Sequence, residues 1–119
     1  MGDNMKLRIP TVLAAALLAA SCNTIDGGPL IRDGMPTGTI EIENQTSYTF
    51  NAVNLSECDA MSHGFNRLSS GQSIPPGGVM SWTVTAGCWD IGAGAIGVGD
   101  SFNKMQVAPG GISRFTVNG

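Results

Sequence analysis

The sequence predicts an all-β fold: a small antiparallel β-sandwich with one disulfide, behind a cleaved signal peptide and a flexible tether. Three observations carry this reading. Several stretches after residue 38 alternate apolar and polar residues with the period of two that a half-buried strand shows. Two Pro-Gly-Gly corners each feed one of those stretches. Three cysteines leave one pair once the first is assigned elsewhere. A chain of 119 residues allows one domain. Charged residues make up only 13% and the net charge is -3. That balance argues against a nucleic-acid binder, which needs a basic stripe to displace counterions.

In chain order, Lys6 and Arg8 precede an apolar run from Ile9 to Ala20, interrupted only by Pro10 and Thr11. A bilayer-spanning helix needs roughly 20 apolar residues, so the run is too short to span. Basic residues, a short apolar run and then small residues read as a secretory signal. The stretch from Leu13 to Ala20 has no polar face, which argues against a buried amphipathic helix.

The run ends Leu18-Ala19-Ala20-Ser21-Cys22, which resembles a bacterial lipobox, with Ala19 where leucine is commonest and Leu18 one position earlier. The resemblance implies that Cys22 is diacylated on sulfur, becomes the new N-terminus and is acylated again. The expected organisation is then signal peptide 1–21, lipidated cysteine and tether 22–37, and a β-sandwich domain 38–119. Ordinary cleavage after Ser21, leaving a free thiol, is the competing reading. With lipid on Cys22, Cys58 and Cys88 remain as one pair, which bridges in an oxidising envelope compartment. Two separate buried thiols are the alternative. Residues 23–37 contain Gly-Gly-Pro, Asp-Gly and Met-Pro, which break any regular pattern and read as tether. Removing Lys6, Arg8 and Asp3 with the signal takes the six basic and nine acidic residues to four and eight. An anionic domain on a tether of that length is expected to float near the membrane.

Within the domain, Thr39–Glu43 alternates apolar and charged residues as a strand. Tyr48–Leu55 is β-prone, but its alternation slips near Val53, where a bulge is expected. Val79–Thr85 places Met80, Trp82 and Val84 on one face, and residues 102–107 and 112–117 follow the same rule. Residues 60–68 are the least regular stretch, with room for a helical turn. An internal echo links Ile74-Pro75-Pro76-Gly77-Gly78-Val79 to Val107-Ala108-Pro109-Gly110-Gly111-Ile112, each followed after two residues by an aromatic and Thr-Val. Proline presets φ and glycine supplies positive φ, so each copy marks a tight corner feeding a strand with an inward aromatic.

Candidate chemistry is thin. Gly92-Ala93-Gly94-Ala95-Ile96-Gly97 matches G-x-G-x-x-G, but no helix follows to offer amides to a pyrophosphate. A glycine-rich loop or small-residue strand is the expectation. His63 is the single histidine, and no G-x-S-x-G elbow accompanies it. Met61 and His63 form the best candidate for a soft copper site, because thioethers suit soft metals; the bland alternative is an exposed loop histidine. Asp90 and Asp100 are too far apart in sequence to begin a calcium site. Asn44-Gln45-Thr46 and Asn54-Leu55-Ser56 match glycosylation acceptors, expected to carry nothing in a bacterial envelope. Trp82 is expected in the core. Alternation turns Trp89 the other way, toward solvent, as a contact for a partner or ligand.

The order Asn44-Gln45-Thr46-Ser47-Tyr48-Thr49, then Leu68-Ser69-Ser70-Gly71-Gln72-Ser73, then Trp82 followed by Ala86-Gly87-Cys88 is similar to the opening of thaumatin-like proteins. The resemblance implies a β-sandwich and no particular activity, since those proteins are far longer and richer in disulfides. The function expected is a non-enzymatic interaction or structural module without a cofactor, anchored to the membrane by lipid. Its partner would be another envelope protein or a glycan rather than nucleic acid. The alternative is a periplasmic module binding a small ligand or copper. Asn23, rather than Asp, after Cys22 favours the outer membrane.

Overall fold

The computed structural model describes residues 28–119; the expected signal peptide over 1–21, Cys22 and residues 23–27 lie outside the described residues. Six strands are present: β1 (Thr37–Gln45), β2 (Ala52–Glu57), β3 (Val79–Thr85), β4 (Gly87–Ala95), β5 (Gly99–Val107) and β6 (Ile112–Asn118). They form two three-stranded sheets, ordered β3-β1-β6 and β2-β4-β5. Ile40 and Ile42 of β1, Val84 of β3 and Phe115 and Val117 of β6 pack against Val53 and Leu55 of β2, Trp89, Ile91 and Ala93 of β4 and Val107 of β5. Phe50, Leu68 and Ile74 close this core from the loops. The fold is therefore the two-layer all-β sandwich that the alternation predicts.

Three of the ladders are antiparallel and one, β1–β6, is parallel. The reason lies in the second Pro-Gly corner. β5 runs antiparallel to β4, and the turn at Pro109-Gly110 then reverses the chain and passes it into the other sheet, beside β1 and in the same direction. Both corners have the expected turn. Gly77 and Gly110 take φ of +81° and +70°, and the amides of Gly78 and Gly111 donate to Pro75 O (2.8 Å) and Ala108 O (2.9 Å). These are type II geometries, which require a residue at positive φ after proline. They deliver β3 and β6 to the two sides of β1, so Trp82 stands opposite Ile40 and Phe115 opposite Ile42.

The pairing defines two ends. At the disulfide end lie the starts of β1, β4 and β6, with residues 57–59 and 85–88. At the hairpin end lie the β4–β5 turn, residues 45–51 and the first corner. Cys58 and Cys88 are bridged, with Cα atoms 5.5 Å apart.

Three local expectations change. Residues 28–36, expected within the tether, are docked on the disulfide end. Thr85 N donates to Leu30 O (2.8 Å) and Ala86 N to Pro36 O (2.9 Å). Arg32 N donates to Thr85 Oγ1 (2.7 Å), Arg67 Nη2 to Gly28 O (2.8 Å), and the Arg32 guanidinium pairs with Glu57 at 2.7 Å. The ordered body thus begins by Gly28, ten residues before the expected boundary. No bulge occurs at Val53, because β2 and β4 pair in unbroken register from Ala52↔Gly94 to Glu57↔Trp89. The alternation slips instead because Phe50 bridges Ile74 and the strand restarts after Asn51. Residues 60–68 form no helix. They cover the free edge of β2: Arg67 N donates to Val53 O (2.7 Å), and Asn66 Oδ1 accepts from Val53 N (2.8 Å). A covered edge cannot template pairing with another chain.

Candidate functional site

Trp89, expected at the surface as a partner contact, is 1% exposed and lies in the core. Its indole Nε1 donates to Thr85 O at 2.8 Å, so both the ring and its polar tip are satisfied inside the protein. A residue so enclosed offers nothing to a partner. Trp82, expected in the core, is half-buried on the edge strand β3 and packs against the core.

Met61 is 84% exposed. His63 stands in the same exposed loop, its ring 4.7 Å from that of Phe102 and tilted by 41°. Among the described residues no three His, Cys, Asp or Glu side chains gather as a metal site. Phe102 lies over Gly92 on the outer face of the second sheet, and a Cβ at Gly92 would collide with its ring. The G-x-G-x-x-G string thus runs through the second half of the central strand β4 into the β4–β5 turn, with Gly92 and Gly94 making room for what crosses the strand. Asp90 pairs with Lys104 at 3.4 Å. Asp100 belongs to β5 at the hairpin end. Glu41 and Glu43 share the outer face of β1. Glu41 accepts a two-pronged contact from Arg114 (2.9 and 2.8 Å), while Glu43 accepts from Thr116 Oγ1 and Gln45 Nε2, both at 3.0 Å. The Gln45 and Thr116 bonds hold the Glu43 carboxyl below its ordinary value, with help from Arg114, and Glu41 raises the Arg114 guanidinium further. These carboxylates are engaged along the sheet face rather than poised as an acid–base pair.

A cleft of about 230 Å³ lies at the hairpin end, between the two sheets. Phe50, Ala93 and Val117 belong to its apolar side; Tyr48, Asp100, Ser101 and Asn118 supply polar groups. Its walls are held by hydrogen bonds through Asn51. Asn51 N donates to Gly94 O (3.1 Å), and Ile96 N donates to Asn51 Oδ1 (2.8 Å). The turn beneath Tyr48 is fixed by Asn44, whose side chain is fully buried. Its amide donates to Tyr48 O (2.6 Å) and Ile74 O (2.9 Å), and its oxygen accepts from Thr46 N (2.9 Å) and Thr46 Oγ1 (2.7 Å). A glycan on Asn44 is therefore excluded. The cleft holds hydroxyls and a carboxylate but not the histidine. It can seat a small group or a side chain of a partner, with Tyr48 exposed at its rim. Sequence reasoning missed this cleft because its walls come from four separated segments. The turn residues at 44–48 were the only local signal of it.

A second hollow, about 310 Å³, lies at the disulfide end between residues 57–59 and 85–89. No family model matches the chain. No curated protein matches it significantly either.

Proposed function

We propose that the chain is the precursor of a bacterial envelope lipoprotein, anchored through Cys22, whose folded body is a non-catalytic interaction or structural module. The observation that carries this reading is the cysteine pattern. Cys58 and Cys88 are joined, which leaves Cys22 as the odd cysteine, directly after a short apolar run and the small residues Ala19-Ala20-Ser21. A disulfide is at home in an oxidising compartment, and a leftover cysteine at that place in the sequence calls for a chemical use such as acylation. The module reading is supported by the engaged carboxylates on β1 and by the small cleft at the hairpin end, which suits recognition. Asn23 after Cys22 favours the outer membrane, with the partner an envelope protein or glycan.

The test is the intact mass of the protein extracted from membranes, before and after reduction. A mass carrying three acyl chains on a chain beginning at Cys22 supports the reading. A full-length or unlipidated chain sinks it.

A further inference from the structure

Resting on that reading, we infer that the disulfide end of the domain is seated on the bilayer surface, with Ile31, Met35 and Ile112 in contact with lipid. The argument starts from chain length. Gly28 is already docked, its carbonyl accepting from Arg67 Nη2, so six residue steps separate it from Cys22. Fully extended, they reach about 20 Å. The folded body is longer than this tether: a nine-residue strand such as β4 spans about 30 Å. An acyl group on Cys22 therefore holds the disulfide end at the membrane and leaves the hairpin end projecting from it.

That end carries apolar side chains with no work inside the fold. Ile31, Met35 and Ile112 are 50%, 54% and 66% exposed. Met35 closes a turn through its amide to Arg32 O (3.2 Å). Ile112 starts β6 opposite Thr39, and Gly110 N donates to Thr37 O (2.8 Å), which brings the second Pro-Gly corner beside the start of β1. All three residues therefore lie at the same end of the sandwich as Gly28, where the tether arrives. The neighbouring Arg32 is paired with Glu57, and Asp33 and Asp59 add negative charge. The contact is thus apolar in origin and independent of anionic lipid. Acyl chains provide the membrane affinity; the three side chains set the orientation. The hairpin end, with its cleft and the exposed Ile96 and Val98, is left free for a partner.

The experiment uses the mature protein purified from membranes, its mass first measured, in nanodiscs of phosphatidylethanolamine and phosphatidylglycerol. A small fraction of the lipid carries gadolinium on its headgroup. Methyl and amide NMR signals are compared with and without the metal. The expected result is loss of the signals of Ile31, Met35 and Ile112 with those of Ile96 and Val98 retained. In the triple variant Ile31→Ser, Met35→Ser, Ile112→Ser, the signals of residues 31–36 are attenuated less than in the parent, in a domain whose metal-free spectrum is otherwise unchanged. Loss at the hairpin end, equal loss at both ends, no loss, or loss unaffected by the triple variant each overturns the inference while an acylated mass leaves the lipoprotein reading standing. An unacylated Cys22 overturns both.

Discussion

Replacing Asn44 tests whether one buried amide holds the hairpin end together. The side chain is fully buried and all four of its hydrogen-bonding positions are used. In Asn44→Ala four bonds are lost, at a net of about 1 kcal/mol each. The loss is softened because two acceptors keep another donor: Ile74 O still accepts from Phe50 N, and Tyr48 O from Thr46 Oγ1. The expected cost is about 3 kcal/mol, a large part of the ~5–10 kcal/mol a small domain possesses. Asn44→Asp is nearly isosteric yet worse. A carboxylate oxygen would replace the NH2 group between two carbonyl oxygens, with no donor and a buried charge, costing about 4–5 kcal/mol at neutral pH. Its folded pKa would be raised, so this penalty is complete above that pKa and shrinks as acid protonates the carboxyl and restores one donor. Urea unfolding followed by tryptophan fluorescence reads both variants, with Asn54→Ala as a control, since Asn54 makes a single bond to Gly64 O at 3.1 Å. An alanine cost no larger than that control, or an aspartate variant as stable as alanine at every pH, would refute the reasoning.

Gly94→Ala should cost about 3 kcal/mol and Gly92→Ala about 1 kcal/mol. A Cβ at Gly94 meets backbone, including Asp100 Cα at 2.6 Å, whereas at Gly92 it meets the movable ring of Phe102. Thermal melts rank them, and Phe102→Ala should remove most of the Gly92→Ala cost; equal melting temperatures would count against this account of β4. Replacing both Cys58 and Cys88 by serine should lower stability by about 3.5 kcal/mol in the chain-entropy model for a separation of 30 residues, read as a lower urea midpoint; an unchanged midpoint contradicts it. Thr116→Val removes one of the bonds that lower the Glu43 carboxyl. Because that folded pKa lies below the unfolded value of about 4.3, the contribution is present above it and lost as pH falls through the folded pKa. The variant should titrate higher by carboxyl-carbon NMR and lose part of this acid-side dependence, the Gln45 bond keeping the rest; an unmoved titration speaks against the bond. Ser56→Ala should be neutral or slightly stabilising in the same melts, since the buried Ser56 hydroxyl has no hydrogen-bond partner among the described residues, and a marked loss would reveal one.

The strands most legible in the sequence are those with one wet face. β1 alternates Ile40 and Ile42 inward with Glu41 and Glu43 outward, and β3 and β6 each follow a Pro-Gly corner whose geometry is set by two residues. β4 was harder to read, because Gly92 and Gly94 are chosen for what crosses them and carry no period of their own. The docked arm at 28–36 was illegible for a similar reason. Gly-Gly-Pro and Met-Pro do break regular structure, but irregular backbone can be tied down by partners distant in sequence, here Thr85, Ala86, Glu57 and Arg67. Asn44 looked like a modification acceptor, since its tripeptide is silent about burial. Its role depends on Ile74, which no local pattern connects to it.

The misplacement of Trp89 follows from how alternation behaves across a sandwich. Within one continuous strand, Trp82 and Trp89 are an odd number of residues apart and must face opposite ways. The chain is not one strand there. It leaves the first sheet after Thr85, bends at Ala86 and restarts as β4 in the second sheet, through Gly87 at φ +141°. The direction that points into the core from one sheet is the reverse of the direction that points into it from the other. Opposite parity on opposite sheets therefore puts both tryptophans inward: Trp82 onto Ile40 across β1, and Trp89 between the layers with its N–H on Thr85 O. The Ala86-Gly87 pair, a small residue followed by one that tolerates unusual φ, was the local sign that the sheet changes. With that change placed, the same alternation assigns Cys88 to the outer side of β4, next to Cys58 after the end of β2, where the bridge is found.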